Sequence, residues 1–165
     1  MALTNKAQFD ELFAGRNSAS DERIKTLWDL TLRAPASTAG SPTIKKYYYA
    51  ENATESLRKA VIPLLRMSEI YLIAIETTTD LAEGNSLWKT YQRSKGSGTD
   101  PDLANLQDLK AAVVDEYRRE FVAEGQMFYT YKRLQATNMK WYSTPIEEKN
   151  YIVPLPPNEF DPNLK

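Results

Sequence analysis

The chain has 165 residues, enough for one domain or for part of a larger one, and carries 21 basic and 22 acidic side chains, for a formal net charge of −1. This near-neutral balance gives no electrostatic reason to expect a nucleic-acid partner. The sequence contains no cysteine and no histidine, which excludes disulfides, zinc sites built from these residues, cysteine nucleophiles and Ser-His-Asp triads.

No segment of the sequence is predicted to cross a membrane. Residues 1–25 lack the apolar centre of a signal peptide, and a run of about eighteen apolar residues occurs nowhere in the chain. A start of this kind also fits a chain cut from a longer precursor, whose targeting segment would lie upstream.

The first third of the chain predicts short elements. Residues 8–14 favour a short helix, and residues 21–32 predict a longer one, with Asp21 as a candidate N-cap. Residues 33–42 are rich in Ala, Ser, Thr, Gly and Pro, which indicates a loop, and residues 43–50 are typical of a strand or an extended segment.

A strongly apolar helix is predicted to start at Pro63, which suits a first turn, and to run to about residue 79. Arg66 and Glu69 have the spacing of an i,i+3 ion pair. The apolar residues cover most of the circumference, so we expect a central helix packed on more than one side. They are Leu64, Leu65, Met67, Ile70, Tyr71, Leu72, Ile73 and Ile75.

Gly84 is predicted as a helix C-cap, with a short helix following at residues 85–93. A long helix is predicted from residue 103 or 106 to residue 135, because apolar side chains recur there with helical spacing. Residues 144–165 hold five prolines, which indicates an extended tail with residues 151–155 as its apolar anchor.

The segment EYRREFVAEGQMFYTYKRL, residues 116–134, combines an apolar stripe with a dense charge pattern. Gly125 falls within the stripe, where a glycine costs roughly 1 kcal/mol of helix propensity, so we interpret it as a point of close approach by another backbone. The stripe predicts a buried helix face made of Tyr117, Phe121, Phe128, Tyr131 and Leu134.

Glu116, Glu120 and Glu124 are spaced i, i+4 and i+8 along this segment, and paired carboxylates are what a glycosidase needs. Glycosidase carboxylates flank the substrate about 5–9 Å apart, however, whereas three on one helix stripe face the same way. We therefore predict that the chain is not an enzyme. The glutamates are expected to pair with the proline-led helix and with nearby cations, namely Arg118, Arg119, Lys132 and Arg133.

The chain has three tryptophans and ten tyrosines, and aromatic rings stack well on the C–H faces of sugars. Those on helical stripes, such as Trp28, are more often part of the core. The best candidates for ligand contact lie in irregular segments or on a short connecting helix, and they are Tyr48, Trp88, Tyr91 and Trp141.

Four segments, in this order, resemble the C-terminal region of SusD/RagB proteins, which are nutrient-capture lipoproteins on the surface of Bacteroidetes. These segments are the proline-led IPLLRMSEIYLIAIE, the short-helix SLWKTYQRSKG, the Glu/Arg-rich segment described above, and the closing YIVPLPPNEFDPNLK. Asp21-Glu22-Arg23 and Lys45-Lys46-Tyr47 add weaker agreement with Asp-x-Arg and Lys-Tyr landmarks. Four segments in the family's order are more specific than any one of them.

The resemblance implies a mainly α fold, with tetratricopeptide-like antiparallel helix pairs, long irregular loops and an extended C-terminal tail. It implies one region over residues 1–165, comprising a loop-rich lead-in (1–61), a helical core (62–135) and the tail (136–165). The expected signature residues are structural, and they are Arg66, Glu69, Glu116, Arg118, Arg119, Glu120, Glu124, Gly125 and Arg133.

The resemblance also implies non-enzymatic binding of an oligosaccharide or another nutrient at the bacterial outer membrane, for delivery to a TonB-dependent (SusC-like) transporter. No cofactor and no metal are expected. Family members are commonly about three times longer, so the chain resembles a fragment or a truncated relative, with the lipid anchor expected upstream. The alternative is a helical protein-protein interaction or scaffold module, in which the helices bind only protein and the chain has no ligand site of its own.

Overall fold

A computed structural model shows a mainly α protein, which confirms the predicted fold class. Tetratricopeptide-like pairing of the helices stays a prediction, as does the single region with its three parts. The chain divides into two compact units, Met1–Gly125 and Gln126–Lys165. The structure describes residues 6–14, 16, 20–29, 42–46, 64–97 and 100–153.

The described part of the first unit contains helices and one short antiparallel ladder. Its strands pair Trp28 with Ile44 and Asp29 with Thr43. In chain order the elements are α1 (Lys6–Leu12), α2 (Glu22–Thr26), β1 (Trp28–Asp29), β2 (Thr43–Ile44), α3 (Met67–Thr77), α4 (Leu81–Ser94) and α5 (Leu106–Glu120).

Helix α2 begins as the sequence predicts, because the Asp21 side chain accepts a hydrogen bond from the backbone N–H of Arg23 at 3.0 Å. The helix ends at Thr26, well short of the predicted residue 32, and the chain continues into β1. Trp28 packs there against Phe9 and Phe13, with ring centroids 5.1 and 6.4 Å away. Burial of this indole in an aromatic cluster outweighs the helical pattern.

The core of the first unit lies where α3 packs against α4 and α5. Leu72 and Ile75 of α3 and Leu109 and Val113 of α5 are fully buried there. Helix α4 is capped by Asp80, whose carboxylate accepts from the backbone N–H groups of the first turn. Helix α5 is capped in the same way by the side chain of Asn105.

Helix α3 is much more exposed than its composition predicts. It begins at Met67, while Pro63, the predicted start, lies outside the described residues. Leu64 and Leu65, just before the helix, are 89% and 85% exposed. Helix α3 contacts both α4 and α5, as the expected packing on more than one side requires. Its apolar side chains Met67, Ile70 and Ile73 are nevertheless exposed.

Gly84 lies inside α4, so its prediction as a C-cap is wrong. A Cβ at this position would lie 2.4 Å from Leu109 Cδ2 and 3.1 Å from Thr78 Cγ2. Since a helix interior disfavours glycine by about 1 kcal/mol relative to alanine, the residue is explained by close packing of α4 against α5.

The predicted long helix is interrupted. Helix α5 ends at Glu120, and α6 (Gln126–Arg133) belongs to the second unit. Between them Ala123 and Gly125 have positive φ angles of 64° and 75°. A Cβ on Gly125 would meet nothing within 4 Å, so the predicted close approach of another backbone is wrong. Gly125 is explained instead by its left-handed backbone conformation.

The second unit is held by its aromatic residues. The Tyr151 hydroxyl, at the end of the 3₁₀ turn Glu148–Tyr151, donates to the carbonyl of Ala136 at 2.7 Å. The ring of Phe128 lies 6.0 Å from that of Tyr151, and the Tyr131 hydroxyl accepts from the backbone N–H of Lys140. Of the predicted apolar anchor at residues 151–155, Tyr151 is buried, whereas Ile152 and Val153 are exposed. The tail beyond residue 153 lies outside the described residues.

None of the helices in the described ranges combines the length and the apolar composition needed to span a membrane.

We expect Gly84→Ala to destabilise the first unit by about 1–3 kcal/mol, because the added methyl group overlaps the buried Leu109 side chain by more than its helix propensity recovers. Urea unfolding followed by circular dichroism measures the change. Ser86→Ala, at an exposed position of the same helix, is the control and should stay within about 0.5 kcal/mol. Equal stability of the Gly84→Ala and parent chains would contradict the close-packing explanation.

Candidate functional site

The charged residues of the first unit form a buried charge cluster centred on Glu116, whose side chain is fully buried. Its carboxylate accepts from Arg23 Nη1 at 2.8 Å and from Arg119 Nη1 at 2.5 Å, and it lies 3.2 Å from Arg16 Nη2. Arg23 also forms a bidentate pair with the buried N-cap residue Asp21. One carboxylate on α5 thus gathers three guanidinium groups.

Glu120 extends the charge cluster by one helical turn. Its carboxylate lies 2.9 Å from Lys95 Nζ and 3.4 Å from Arg23 Nη1. The buried hydroxyl of Tyr91 accepts from Arg23 at 3.3 Å and donates toward Glu116, also at 3.3 Å. The i,i+4 spacing on α5 therefore places both glutamates against the same cations.

Glu124 follows the end of α5 and takes its own pair of cations. Its two carboxylate oxygens form ion pairs with Lys46 and Arg66. The guanidinium of Arg66 also lies 4.9 Å above the ring of Phe121, a cation–π distance. Arg66 thus pairs with Glu124, a partner different from the predicted Glu69.

Burial alone raises the pKa of Glu116, but the charges of Arg23, Arg119 and Arg16 outweigh it and hold that pKa below its usual range. Burial likewise raises the pKa of Glu120, and the neighbouring Lys95 lowers it by more. Both carboxylates are therefore ionised at neutral pH.

The Tyr91 hydroxyl and the Glu124 carboxylate are each held in one protonation state at neutral pH too. Burial and the nearby Glu116 carboxylate raise the pKa of the Tyr91 hydroxyl. Burial raises the pKa of Glu124, but its bonds to Lys46 and Arg66 lower it overall. A general acid needs a pKa near the working pH, so this arrangement suits structural pairing better than proton transfer.

The predicted pairing with a glutamate of this segment occurs for Arg119, and Arg118 binds Asp115 one turn earlier in α5. Lys132 and Arg133 lie on α6, in the second unit. In the described ranges no group of acidic side chains gathers in a way that would hold a metal ion.

Sequence reasoning missed most of the cations in the charge cluster. The sequence marks Asp21 only as a cap and Arg23 and Lys46 only as parts of landmark segments, and it gives no signal for Arg16 and Lys95. Several acidic residues on one apolar helix indicate that cations must be buried beside them. The sequence does not indicate which cations these are, because ion pairs between distant segments depend on tertiary contacts.

The structure separates the four predicted ligand-contact residues. Trp88 and Tyr91 are only 3% and 1% exposed, and their rings stack on each other at 6.1 Å. Neither ring therefore offers a face to a ligand. Trp141 is half-buried, has a positive φ of 63°, and lies 5.3 Å from Lys140 Nζ. Tyr48 lies outside the described residues.

Of the four candidates, Trp88 lines a cleft of about 240 Å³ in the first unit. The other residues that line it are Ala14, Arg16, Asp100, Ala112, Asp115 and Arg119. Another cleft of the first unit, of about 670 Å³, lies along α4 and includes Asn85, Lys89, Arg93 and Asp102 in its walls. The second unit has a cleft of about 360 Å³ bordered by the buried Tyr151.

Comparison with protein families gives a match to the model of the SusD family, which covers residues 17–162. Searches of the curated proteins and of the solved structures give no match.

We expect Glu116→Gln to destabilise the chain by about 3–5 kcal/mol, because it leaves the buried Arg23 and the partly buried Arg16 and Arg119 without their shared anion. The free energy of unfolding in urea measures the loss. Asp10→Asn, which removes one partner of the exposed Lys6–Asp10 pair, is the matched control and should cost less than about 1 kcal/mol. Similar losses in the two variants would contradict a central role for Glu116.

We expect the stability to be flat between about pH 6 and pH 8 and to fall in acid. The chain has no histidine, the side chain whose unperturbed pKa lies in that interval. The folded-state pKa values of Glu116, Glu120 and Glu124 are lowered. Their contribution is therefore complete above the unfolded value of about 4.3 and is lost as the pH falls through the lower folded values.

Urea midpoints measured from pH 3 to pH 8 test this pH dependence. A Glu120→Gln variant lacks one of the titrating groups and should lose less stability on acidification than the parent chain. A parent chain whose stability changes between pH 6 and pH 8 would contradict the assignment.

Proposed function

Because the chain belongs to the SusD family, we propose that it helps to capture an oligosaccharide or another nutrient for delivery to a TonB-dependent transporter of the outer membrane. Proteins of this family bind glycans or other nutrients at the cell surface and are generally non-catalytic. They generally pair with SusC-like transporters and are typically outer-membrane surface lipoproteins. The family match over residues 17–162 is the observation that carries the proposal.

The charge cluster supports the non-enzymatic part of this proposal. Glu116 and Glu120 are the carboxylates that would attract a catalytic interpretation, and both are buried against cations. A glycosidase acid needs a raised pKa and its partner must lie across the substrate, whereas these two have lowered pKa values and neighbouring positions on α5. Their arrangement stabilises the fold.

Trp141 is the predicted contact residue whose surroundings best support ligand binding. Its side chain keeps part of its surface exposed, and its left-handed backbone conformation is uncommon for a bulky residue. Conformations of this kind cost energy and cluster at ligand-binding and active sites. We therefore propose Trp141 as a stacking platform for a sugar ring, with Tyr48 as a further candidate.

A second candidate function is a protein-protein interaction module without a ligand site. The exposed apolar residues on and just before α3 favour it, since contiguous exposed apolar surface is typical of docking sites. Leu65, Ile70 and Ile73 are the clearest of these. Titration with glycans distinguishes the two candidates.

We expect isothermal titration of the chain against a panel of polysaccharides and oligosaccharides to give heat with one glycan class. Trp141→Ala should weaken that binding at least about tenfold, because it removes an aromatic contact surface. Tyr129→Ala, which removes an exposed aromatic side chain from α6, is the control and should leave affinity within about twofold. Silence across the whole panel would favour the interaction module.

A further inference from the structure

The cleft of about 360 Å³ in the second unit has the size and the mixed lining of a small-ligand site. Its volume falls within the range of roughly 300–1,000 Å³ that such sites occupy. The lining comes from the end of α6, the segment after it and the 3₁₀ turn. The described residues that line it are Lys132, Gln135, Ala136, Thr137, Ile146, Glu148, Tyr151 and Ile152.

Hydrogen bonds within the second unit fix the walls of this cleft. The backbone N–H of Ile146 donates to the carbonyl of Thr137 at 2.8 Å, which closes the loop between these two residues. The Tyr151 hydroxyl donates to the carbonyl of Ala136 at 2.7 Å. Both bonds join segments that line the cleft, so its shape is set by the fold, as a preorganised site requires.

Gln135, in the wall of the cleft, has a left-handed backbone conformation with a φ angle of 49°. It follows α6 at the C′ position of a Schellman motif. The backbone N–H of Gln135 donates to the carbonyl of Lys132 at 3.1 Å, and that of Ala136 donates to the carbonyl of Tyr131 at 3.0 Å. Glycine is the usual residue there, because a Cβ makes this conformation unfavourable. A glutamine at this position therefore lowers stability, and residues with such a cost cluster at ligand-binding sites.

The polar side chains of the cleft are open to a ligand. Lys132, Gln135 and Glu148 are all exposed. Within the part of the chain that the structure describes, none of these three side chains forms a hydrogen bond or an ion pair. A ligand can therefore reach them without displacing a protein partner.

The lining favours a neutral ligand that carries both donors and acceptors. Its described residues include one cation, Lys132, and one anion, Glu148, so they have no net charge. The Gln135 amide has two donor hydrogens and an acceptor oxygen, which suits hydroxyl groups. Ile146 and Ile152 offer apolar surface to the C–H groups of a sugar ring, and Ile152, at 66% exposure, loses apolar contact with water when a ring covers it.

We propose that this cleft binds a neutral saccharide of about one or two rings, and that Gln135 hydrogen-bonds its hydroxyl groups. Lys132 contributes a further donor and Glu148 a further acceptor, while Ile146 and Ile152 contact the ring. The inference rests on the proposed function, because it takes the ligand to be a saccharide. It assigns a polar contact residue to the unit that also contains Trp141.

The test uses the full chain labelled with ¹⁵N and titrated with neutral glucose, maltose, cellobiose and mannobiose. Glucosamine and glucuronate are the charged analogues of glucose. The pair of side-chain amide resonances that is lost in Gln135→Gly identifies Gln135. Those resonances should move on addition of at least one neutral probe, and the charged analogues should bind no more tightly than glucose.

Gln135→Gly is the decisive variant, because it should have opposite effects on stability and on binding. It should raise the urea midpoint, since glycine adopts the left-handed conformation without strain. It should also weaken saccharide binding about threefold to tenfold, since the amide is lost. Gln135→Ala, which loses the amide but keeps the Cβ, should weaken binding similarly with no gain in stability.

Ala123→Gly is the matched control. Ala123 also has a positive φ angle, of 64°, but it does not line this cleft. The substitution should raise the urea midpoint for the same reason and leave the affinity for the saccharide within about twofold.

Four results would overturn the inference. They are unchanged affinity in both Gln135 variants, no gain in stability in Gln135→Gly, tighter binding of a charged analogue than of glucose, and Gln135 resonances that stay still with every neutral probe. The polysaccharide titration separates these failures from failure of the proposed function, because Trp141-dependent heat would persist if only the cleft assignment were wrong.

Discussion

The first unit depends on the burial of the Glu116 carboxylate. Removing an ionised carboxylate from water costs several kcal/mol unless cations and hydrogen bonds replace the solvent. Arg16, Arg23 and Arg119 supply that replacement, and each comes from a different segment. Arg119 also donates through Nε to the carbonyl of Leu12 at the end of α1. The segments before α3 are therefore fixed to α5 by charge as much as by apolar contact.

The charge cluster stabilises the fold and leaves few polar groups free to bind a ligand. The glutamates of α5 have their acceptor sites filled by cations and by Tyr91, so they have little left to offer a ligand. Next to the charge cluster, Nε1 of Trp88 and one nitrogen of Arg16 are buried and have no hydrogen-bond acceptor among the described residues. Both atoms are closed to solvent, so they belong to the interior and not to a surface that a ligand could reach.

Much of the fold follows from local sequence signals. Asp21 caps α2, the α-helical class is correct, and the predicted pairing of Arg119 with a glutamate occurs. Local sequence signals do not predict helix breaks or burial that depend on contacts with other elements. The apolar pattern of residues 103–135 continues across the break after Glu120, because the left-handed residues there disturb the backbone without changing the spacing of side chains. The exposure of α3 depends on neighbours that its own composition cannot specify.

The candidate ligand residues also show that local sequence patterns do not predict burial. Residue type predicts ligand contact for Trp88 and Tyr91, whereas both side chains are almost completely buried in the first unit. An unpartnered indole N–H is not sufficient evidence of a site, because Trp28 has one as well. Trp88 also lines a cavity in the first unit, but its Nε1 atom is closed to solvent. Burial and hydrogen-bond partners are set by tertiary contacts, which no local pattern of residue types encodes.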